Sequence, residues 1–253
     1  MAFFNNVYVI VKEYGDWILR GVGNTLLLAL TGTAIGLLIG LLIGVFRTVP
    51  TPKNKAARVC KKIVDFLLTA YIEIFRGTPM MVQSMVIYWG YAFMSGGNTL
   101  PLIPSGIIIV SINTGAYMAE IVRGGIISIE KGQFEGASAI GMTHFQTMFH
   151  VVLPQVLRNI LPSVSNEFII NVKDTSVLNV IGVAELYFFG GQIFKFNYQY
   201  FETYFVICVV YFILTFTISR LLRFVEKKMD GKKNYTVFGS QSDPSAEIHI
   251  KED

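Results

Sequence analysis

Long uncharged stretches organise the chain. From Val22 to Phe46 there are 25 residues without a charged side chain, and from Gly77 to Ala119 there are 43 more. A spanning helix needs about 20 apolar residues, so the first run predicts one crossing and the second predicts two. The stretch Ser95 to Pro101, polar and rich in breakers, reads as the turn between that pair. Five spans follow, over roughly 22–46, 66–93, 104–123, 159–184 and 203–223. Val22 to Phe46 has no polar face of the kind a soluble amphipathic helix carries. The predicted fold class is therefore an all-α integral membrane protein with about five transmembrane helices. Residues 1–21 mix Lys12, Glu13, Asp16 and Arg20 with apolar positions and read as a separate amphipathic surface segment. They lack the bases-first order and small-residue cleavage site of a signal peptide. Residues 22–229 form the transmembrane domain, and the polar tail 230–253 has too little apolar content to build a core and is expected to be disordered.

Composition agrees: 53% of residues are hydrophobic and 15% charged, against roughly 25% charged in soluble domains. The net charge of +4 matters less than its placement. Arg47, Lys53, Lys55, Arg58, Lys61 and Lys62 follow the first span, and Arg123, Lys131 and Arg158 mark a second basic connection. Arg220, Arg223, Lys227 and Lys228 follow the last span. Basic residues favour cytoplasmic loops, which puts the N-terminus outside and the C-terminus inside a cell membrane. The loop 94–104 has no charge, and 187–202 has Lys195 as its one base; both suit the outer side. Cys60 and Cys208 fall at different membrane levels, so no disulfide is expected. Nucleic acid is not an expected partner.

The connection 124–158 is too long for a simple turn. Lys131 to Gly141 reads as a short helix of small residues ended by Gly141. Thr143 with Gln146 fits a capping box for the next helix, and Leu153-Pro154 is expected to break that helix before the chain re-enters the membrane. Gly136, Ala137, Ser138 and Ala139 leave a nearly smooth surface on which another backbone can approach. The residues alone fit a docking knob or a segment lying along the membrane.

The spacing of this loop is more specific. Glu135-Gly136-Ala137, then Gly141, then nine residues and Val151-Val152-Leu153-Pro154, resembles the loop motif of ABC importer permeases, in which Gly136 replaces the usual alanine and Val151 the usual isoleucine. Asn24-Thr25-Leu26, Phe75-Arg76-Gly77-Thr78-Pro79, Ala116 to Gly125 and Lys173 to Leu178 resemble the polar amino-acid subfamily. The resemblance implies a type I importer permease fold with a cytoplasmic coupling helix seated in a cleft of a separate ATPase subunit. Gln133, Glu135, Gly136, Ala137 and Gly141 would make most of that contact, with Leu153 and Pro154 closing the motif. The chain has no Gly-x-x-x-x-Gly-Lys-Ser/Thr segment of its own to cradle phosphates. No cofactor and no catalytic site are expected in it; ATP and magnesium would be bound by the partner.

Glu167, Lys173 and Asp174 lie inside the fourth predicted span. Ionisable groups there are costly and should face the protein interior or a water-filled cavity. Glu167 and Asp174 are two turns apart on one helix face, separated by about 10 Å of rise. They fit a substrate site, or pairing with bases on neighbouring helices or capping of broken backbone; Lys173 fits a structural salt bridge with Asp174 or Glu185. Arg76, near the inner end of the second span, fits snorkelling to water or binding lipid phosphate, or else a part in substrate gating. The resemblance implies that Glu167 and Asp174, with the amide of Asn113, line a pocket for an amino acid's polar groups, to which Thr78 and Ser176 add hydroxyls.

The resulting expectation is the transmembrane subunit of an ATP-driven importer of a polar L-amino acid, glutamine or a basic one. A second permease copy or homologue, an extracytoplasmic binding protein and membrane lipid are the further expected partners. The alternative is a secondary transporter or channel driven by an ion gradient. Such architectures usually show internal repeats, and none is visible here.

Overall fold

The computed structural model describes residues 2–229, and every regular element in that range is helical. The predicted tail 230–253 lies outside the described residues. Helix α1 spans Ala2–Thr48, α2 Lys55–Gly77, α3 Met80–Met94, α4 Leu102–Ile127 and α5 Lys131–Ala139. Helix α6 (His144–Thr147) runs through a π turn (Met148–Val152) into α7 (Leu153–Asp174) and a 3-10 segment (Thr175–Ile181). Helices α8 (Leu186–Asn197) and α9 (Tyr200–Met229) complete the chain.

Helices α1, α4 and α9 are each long and apolar enough to cross a bilayer. The run His144–Ile181 with α8, bent by 54° at the break, is together long and apolar enough for a fourth crossing if the pair forms one span. The second predicted span, 66–93, is divided: α2 ends at Gly77, Thr78 and Pro79 are extended, and α3 begins at Met80. Pro79 disfavours the helical conformation at Thr78, and that accounts for the break.

The N-terminal segment is not a separate surface element. Residues 2–21 continue into the first span as a single 47-residue helix, about 70 Å long. Ile10 and Ile18 are buried with Leu186, Ile193, Val206 and Ile207 of α8 and α9. This tertiary burial holds the segment in line with the rest of α1, while its charges point outward. Residues 187–202, read as a loop, contain α8, whose first turn is capped by Glu185. The turn 95–101 is as predicted, with Gly96 and Gly97 at φ +72° and +99°.

The core of the fold is the seam between α1 and α4. Gly32, Gly36, Gly40 and Gly44 recur every four residues on α1 and meet Val110, Thr114, Met118 and Val122, spaced likewise on α4. In lipid, where apolar faces gain little from leaving the solvent, close backbone approach at small residues holds helices together. The two helices run parallel, so the end of α1, the start of α2, the end of α4 and α5 share one end of the molecule. Helix α9 starts at the other end, where Phe201 and Phe205 pack on Phe3 and Glu202 accepts from Asn6 at 3.1 Å. Its basic last turn therefore returns to the first end, and the basic clusters gather there.

Candidate functional site

Two polar clusters lie near the middle of the bundle, each at a point where a helix is interrupted. At the α2/α3 break, Gln83 is buried and its Nε2 donates to the carbonyls of Phe75 (2.9 Å) and Thr78 (2.8 Å) and lies 2.9 Å from Thr78 Oγ1. Asn113, near the middle of α4, donates through Nδ2 to Gln83 Oε1 at 2.8 Å. The interruption leaves carbonyls without helical partners, and buried carbonyls need donors; Gln83 supplies them and Asn113 orients Gln83. The structure thus brings Asn113 and Thr78 together, through a residue the sequence reading missed. It places Phe75 to Pro79 level with the middle of α4 rather than at the inner end of the span, because α2 starts as early as Lys55.

Leucine at Gln83 would take the side-chain donor from the Thr78 carbonyl and leave the Phe75 carbonyl with only the longer 3.4 Å bond from Asn113, a loss of about 1–3 kcal/mol. A Gln83→Leu chain is expected to show a clear drop in melting temperature in detergent, whereas Met85→Leu on the exposed face of α3 should be neutral.

The second cluster joins three helices. Asn171 of α7 is buried, its Nδ2 donates to Thr33 Oγ1 of α1 at 2.8 Å, and its side chain exchanges hydrogen bonds with Thr114 of α4 at 3.0 and 3.2 Å. It fixes the rotation of α7 one turn beyond Glu167 and just before Asp174. Glu167 is half-buried, while Lys173 and Asp174 are exposed on this chain. Among the described residues none of the three forms an ion pair within 4 Å. The predicted pairing of Lys173 with Asp174 or Glu185 is therefore not made. Glu185 is fully buried and instead caps α8, accepting from the backbone N–H of Tyr187 (2.9 Å) and Phe188 (2.7 Å) and from the Tyr211 hydroxyl (2.7 Å). Asn24 and Thr25 tie α1 to the same junction, Asn24 Nδ2 donating to Ala184 O at 2.6 Å and Thr25 Oγ1 accepting from Leu186 N at 3.2 Å.

Along α7 the exposed residues include Asn159, Asn166 and Lys173, seven apart, and Glu73 and Arg76 on α2 and Thr78 just after it are also exposed. The guanidinium of Arg76 lies over the Tyr117 ring at 5.5 Å. Ser176 is half-buried in the 3-10 segment. A membrane chain thus turns a polar stripe outward from two of its helices. Nearer the basic end, Glu120 accepts from Arg47 at 2.9 Å and from Arg123 at 2.8 Å, binding α1 to α4 below the glycine seam.

At the basic end, α5 presents Gln133, Glu135 and Gly136 to the outside, with Ala137 buried beneath them, and Gly141 in the turn that follows is exposed as well. Gly141 has φ +80°, and Gly141 N–H donates to Ser138 O and Met142 N–H to Ala137 O, both at 3.0 Å, which closes the helix as a Schellman motif. Thr143 and Gln146 form the capping box that starts α6. The one expectation that fails here is a helix break at Leu153-Pro154. Leu153 N–H donates to Met148 O five residues back, and this wider turn makes room for Pro154, which has no N–H to give to the turn before it. The π turn absorbs the proline, so the helix runs on from the loop into the polar core. Met148, Val152 and Val156 bury this run against Val122 and Ile126 of α4, and Phe134 anchors α5 on the same core.

The chain resembles known proteins over most of its length. It is 38% identical over 214 residues to the glutamine transport system permease protein GlnP of Escherichia coli K12, covering 84% of this chain and 92% of the relative. It is 39% identical over 176 residues to the L-cystine transport system permease protein TcyB of Bacillus subtilis, covering 69% and 74%. An amino acid ABC transporter crystallised with histidines matches with a TM-score of 0.74 and 36% identity, over 87% of this chain and 97% of that one. The inward-facing MetNI methionine ABC transporter, 22% identical with a TM-score of 0.66, shares the fold. Residues 36–231 match the model of the binding-protein-dependent transport system inner membrane component. On that match, and on the all-helical architecture described above, the chain belongs to this family of multi-pass inner membrane permeases.

Proposed function

We propose that the chain is the transmembrane subunit of an ATP-driven importer that takes a polar L-amino acid, glutamine or a basic one, into the cytoplasm. One observation carries the reading: an outward-facing helix of small residues is linked by the tight turn at Gly141 to a continuous helical run, His144 to Asp174, that bears Glu167 and Asp174. A separate ATPase docks on Gln133, Glu135, Gly136, Ala137 and Gly141, and its closure moves α7 through α6 and the π turn. ATP and magnesium belong to that subunit, and this chain has no catalytic site. The basic end faces the cytoplasm and the N-terminus faces outward, in keeping with the charge asymmetry.

The outward polar stripe supports a second permease copy or homologue, because charged groups at membrane depth must face protein or water. Between two such stripes a wet path would run past Glu167, Asp174, Asn113, Thr78 and Ser176. A carboxylate there receives the ammonium of an amino acid. Two carboxylates favour a cationic or amide side chain over an acidic one, and the glutamine permease among the relatives and the histidines of the similar solved transporter point the same way, while the cystine permease does not. An extracytoplasmic binding protein delivers the substrate.

Reconstitution with the ATPase and binding protein tests this. ATP is expected to drive uptake of labelled glutamine, arginine or histidine, and an ion gradient alone to drive none; gradient-driven uptake without the ATPase would establish the secondary transporter instead. In the same assay Glu167→Gln should weaken apparent affinity for a cationic substrate by about tenfold or more, the scale of one charge-assisted hydrogen bond, with complex yield unchanged. Unaltered uptake of every amino acid would remove Glu167 from the pocket.

A further inference from the structure

Between Arg20 and Asp65 the chain has no acidic residue, and Lys53, Lys55, Arg58, Lys61 and Lys62 crowd the last part of that interval. Lys61 is engaged, 2.7 Å from Asp65 and 5.5 Å above the Phe46 ring. The other four are exposed and form no ion pair among the described residues. A helix turns about 100° per residue, so Lys55, Arg58 and Lys62 share an arc of roughly 60°. The adjoining arc carries Val59, Ile63 and Leu67, which are 57%, 55% and 59% exposed. Packing of α2 on α4 involves Tyr71 and Ile72, with Leu68 at its edge, leaving the first turns uncovered.

We infer that the first three turns of α2 bind the anionic phospholipid surface of the leaflet on the coupling-helix side, an inference that takes its sidedness from the orientation proposed above. Two features favour lipid over a protein. The exposed apolar strip does not stop at the basic turns but continues along α2 to Ile74, also 57% exposed, so one apolar medium covers it from the basic end to the bundle's middle. The bases border that strip, where long cationic side chains lay their stems on acyl chains and reach headgroup phosphates.

Cys60, exposed on this part of α2, reports the contact. The full chain with Cys208→Ser is reconstituted, with and without the ATPase and binding protein, into vesicles of phosphatidylcholine alone, or with about three parts in ten of phosphatidylglycerol. The rate of Cys60 modification by a membrane-impermeant maleimide is then measured. Phosphatidylglycerol is expected to slow the reaction about fivefold or more at low salt. High salt, which shortens the screening length, should reverse the slowing, as should the combined Lys55→Gln, Arg58→Gln and Lys62→Gln changes. Equal rates in the two lipids, or slowing that survives the triple change, would overturn the inference. Protection that appears only when the ATPase is added would also overturn it, by identifying a protein as the occupant. Uptake measured in the same vesicles separates the two readings, because lipid protection without ATP-driven uptake would fault the proposed function alone.

Discussion

Replacing Gly40 by leucine is expected to abolish correct assembly of the bundle. Even the single carbon of alanine at this position would stand 2.6 Å from the Met118 carbonyl carbon and 2.8 Å from the Ala119 nitrogen. Those atoms are backbone, so no rotamer change relieves the contact, and α1 must move off α4. Overpacking a tight core commonly costs about 1–3 kcal/mol. Here the displacement also pulls apart the neighbouring contacts of Gly36 with Thr114 and of Gly44 with Val122, and loosens the Thr33, Asn171 and Thr114 cluster, so the loss should lie at or above the top of that range. The measurement is thermal unfolding of the detergent-solubilised chain together with membrane yield. Gly23→Ala provides the contrast on the same helix, since a Cβ there meets nothing within 4 Å. It should be neutral or stabilise by up to about 1 kcal/mol, because alanine is the better helix former. Equal behaviour of the two variants would remove the seam as the main contact of the fold.

Gly136→Phe is expected to eliminate ATP-driven uptake while leaving the permease folded and in the membrane. Nothing lies within 4 Å of a Cβ at Gly136, so the larger side chain has room in the isolated chain and fills only open space on the proposed docking surface. Co-purification of the ATPase should fall by at least about tenfold, equivalent to 1.4 kcal/mol of association, and uptake with it, at unchanged melting temperature. Gly141→Val should lose uptake by a second route. At φ +80° a β-branched residue is strained by about 1–2 kcal/mol, and the Schellman closure that sets the angle between α5 and α6 gives way. Retention of both ATPase binding and uptake in Gly136→Phe would show that docking occurs elsewhere.

Several features of this architecture are plain in the residues, and others are hidden for physical reasons. Uncharged runs locate apolar helices well because lipid tolerates few charges, and α4 and α9 fall close to their predicted limits. The same rule says nothing about which face packs on what. The four-residue glycine repeat of α1 was the available signal for its partner face, and apolarity alone gave it no weight. Pro79 was the sign of the broken second span, but a run without charge masked it. Gln83 and Asn171 are amides within predicted spans, and each marks a place where backbone or neighbouring hydroxyls need a partner; a search confined to ionisable groups passes over both. The α5 helix, Gly141 and the Thr143 capping box were legible because capping is a local affair. The fate of Leu153-Pro154 was not, since a proline in a first turn and a proline that breaks a helix look alike until the preceding residues are placed. Residues 2–21 likewise took their course from burial against α8 and α9, which no local pattern encodes.

The π turn at Met148–Val152 gives the loop an unusual mechanical character. It holds one residue more than an ordinary helical turn would, and tightening it to α geometry would spin everything beyond by about 100° while changing its length by about 1.5 Å. A push on the loop would then reach Glu167 and Asp174 as torque rather than as thrust, re-aiming carboxylates without sliding the rod through the lipid.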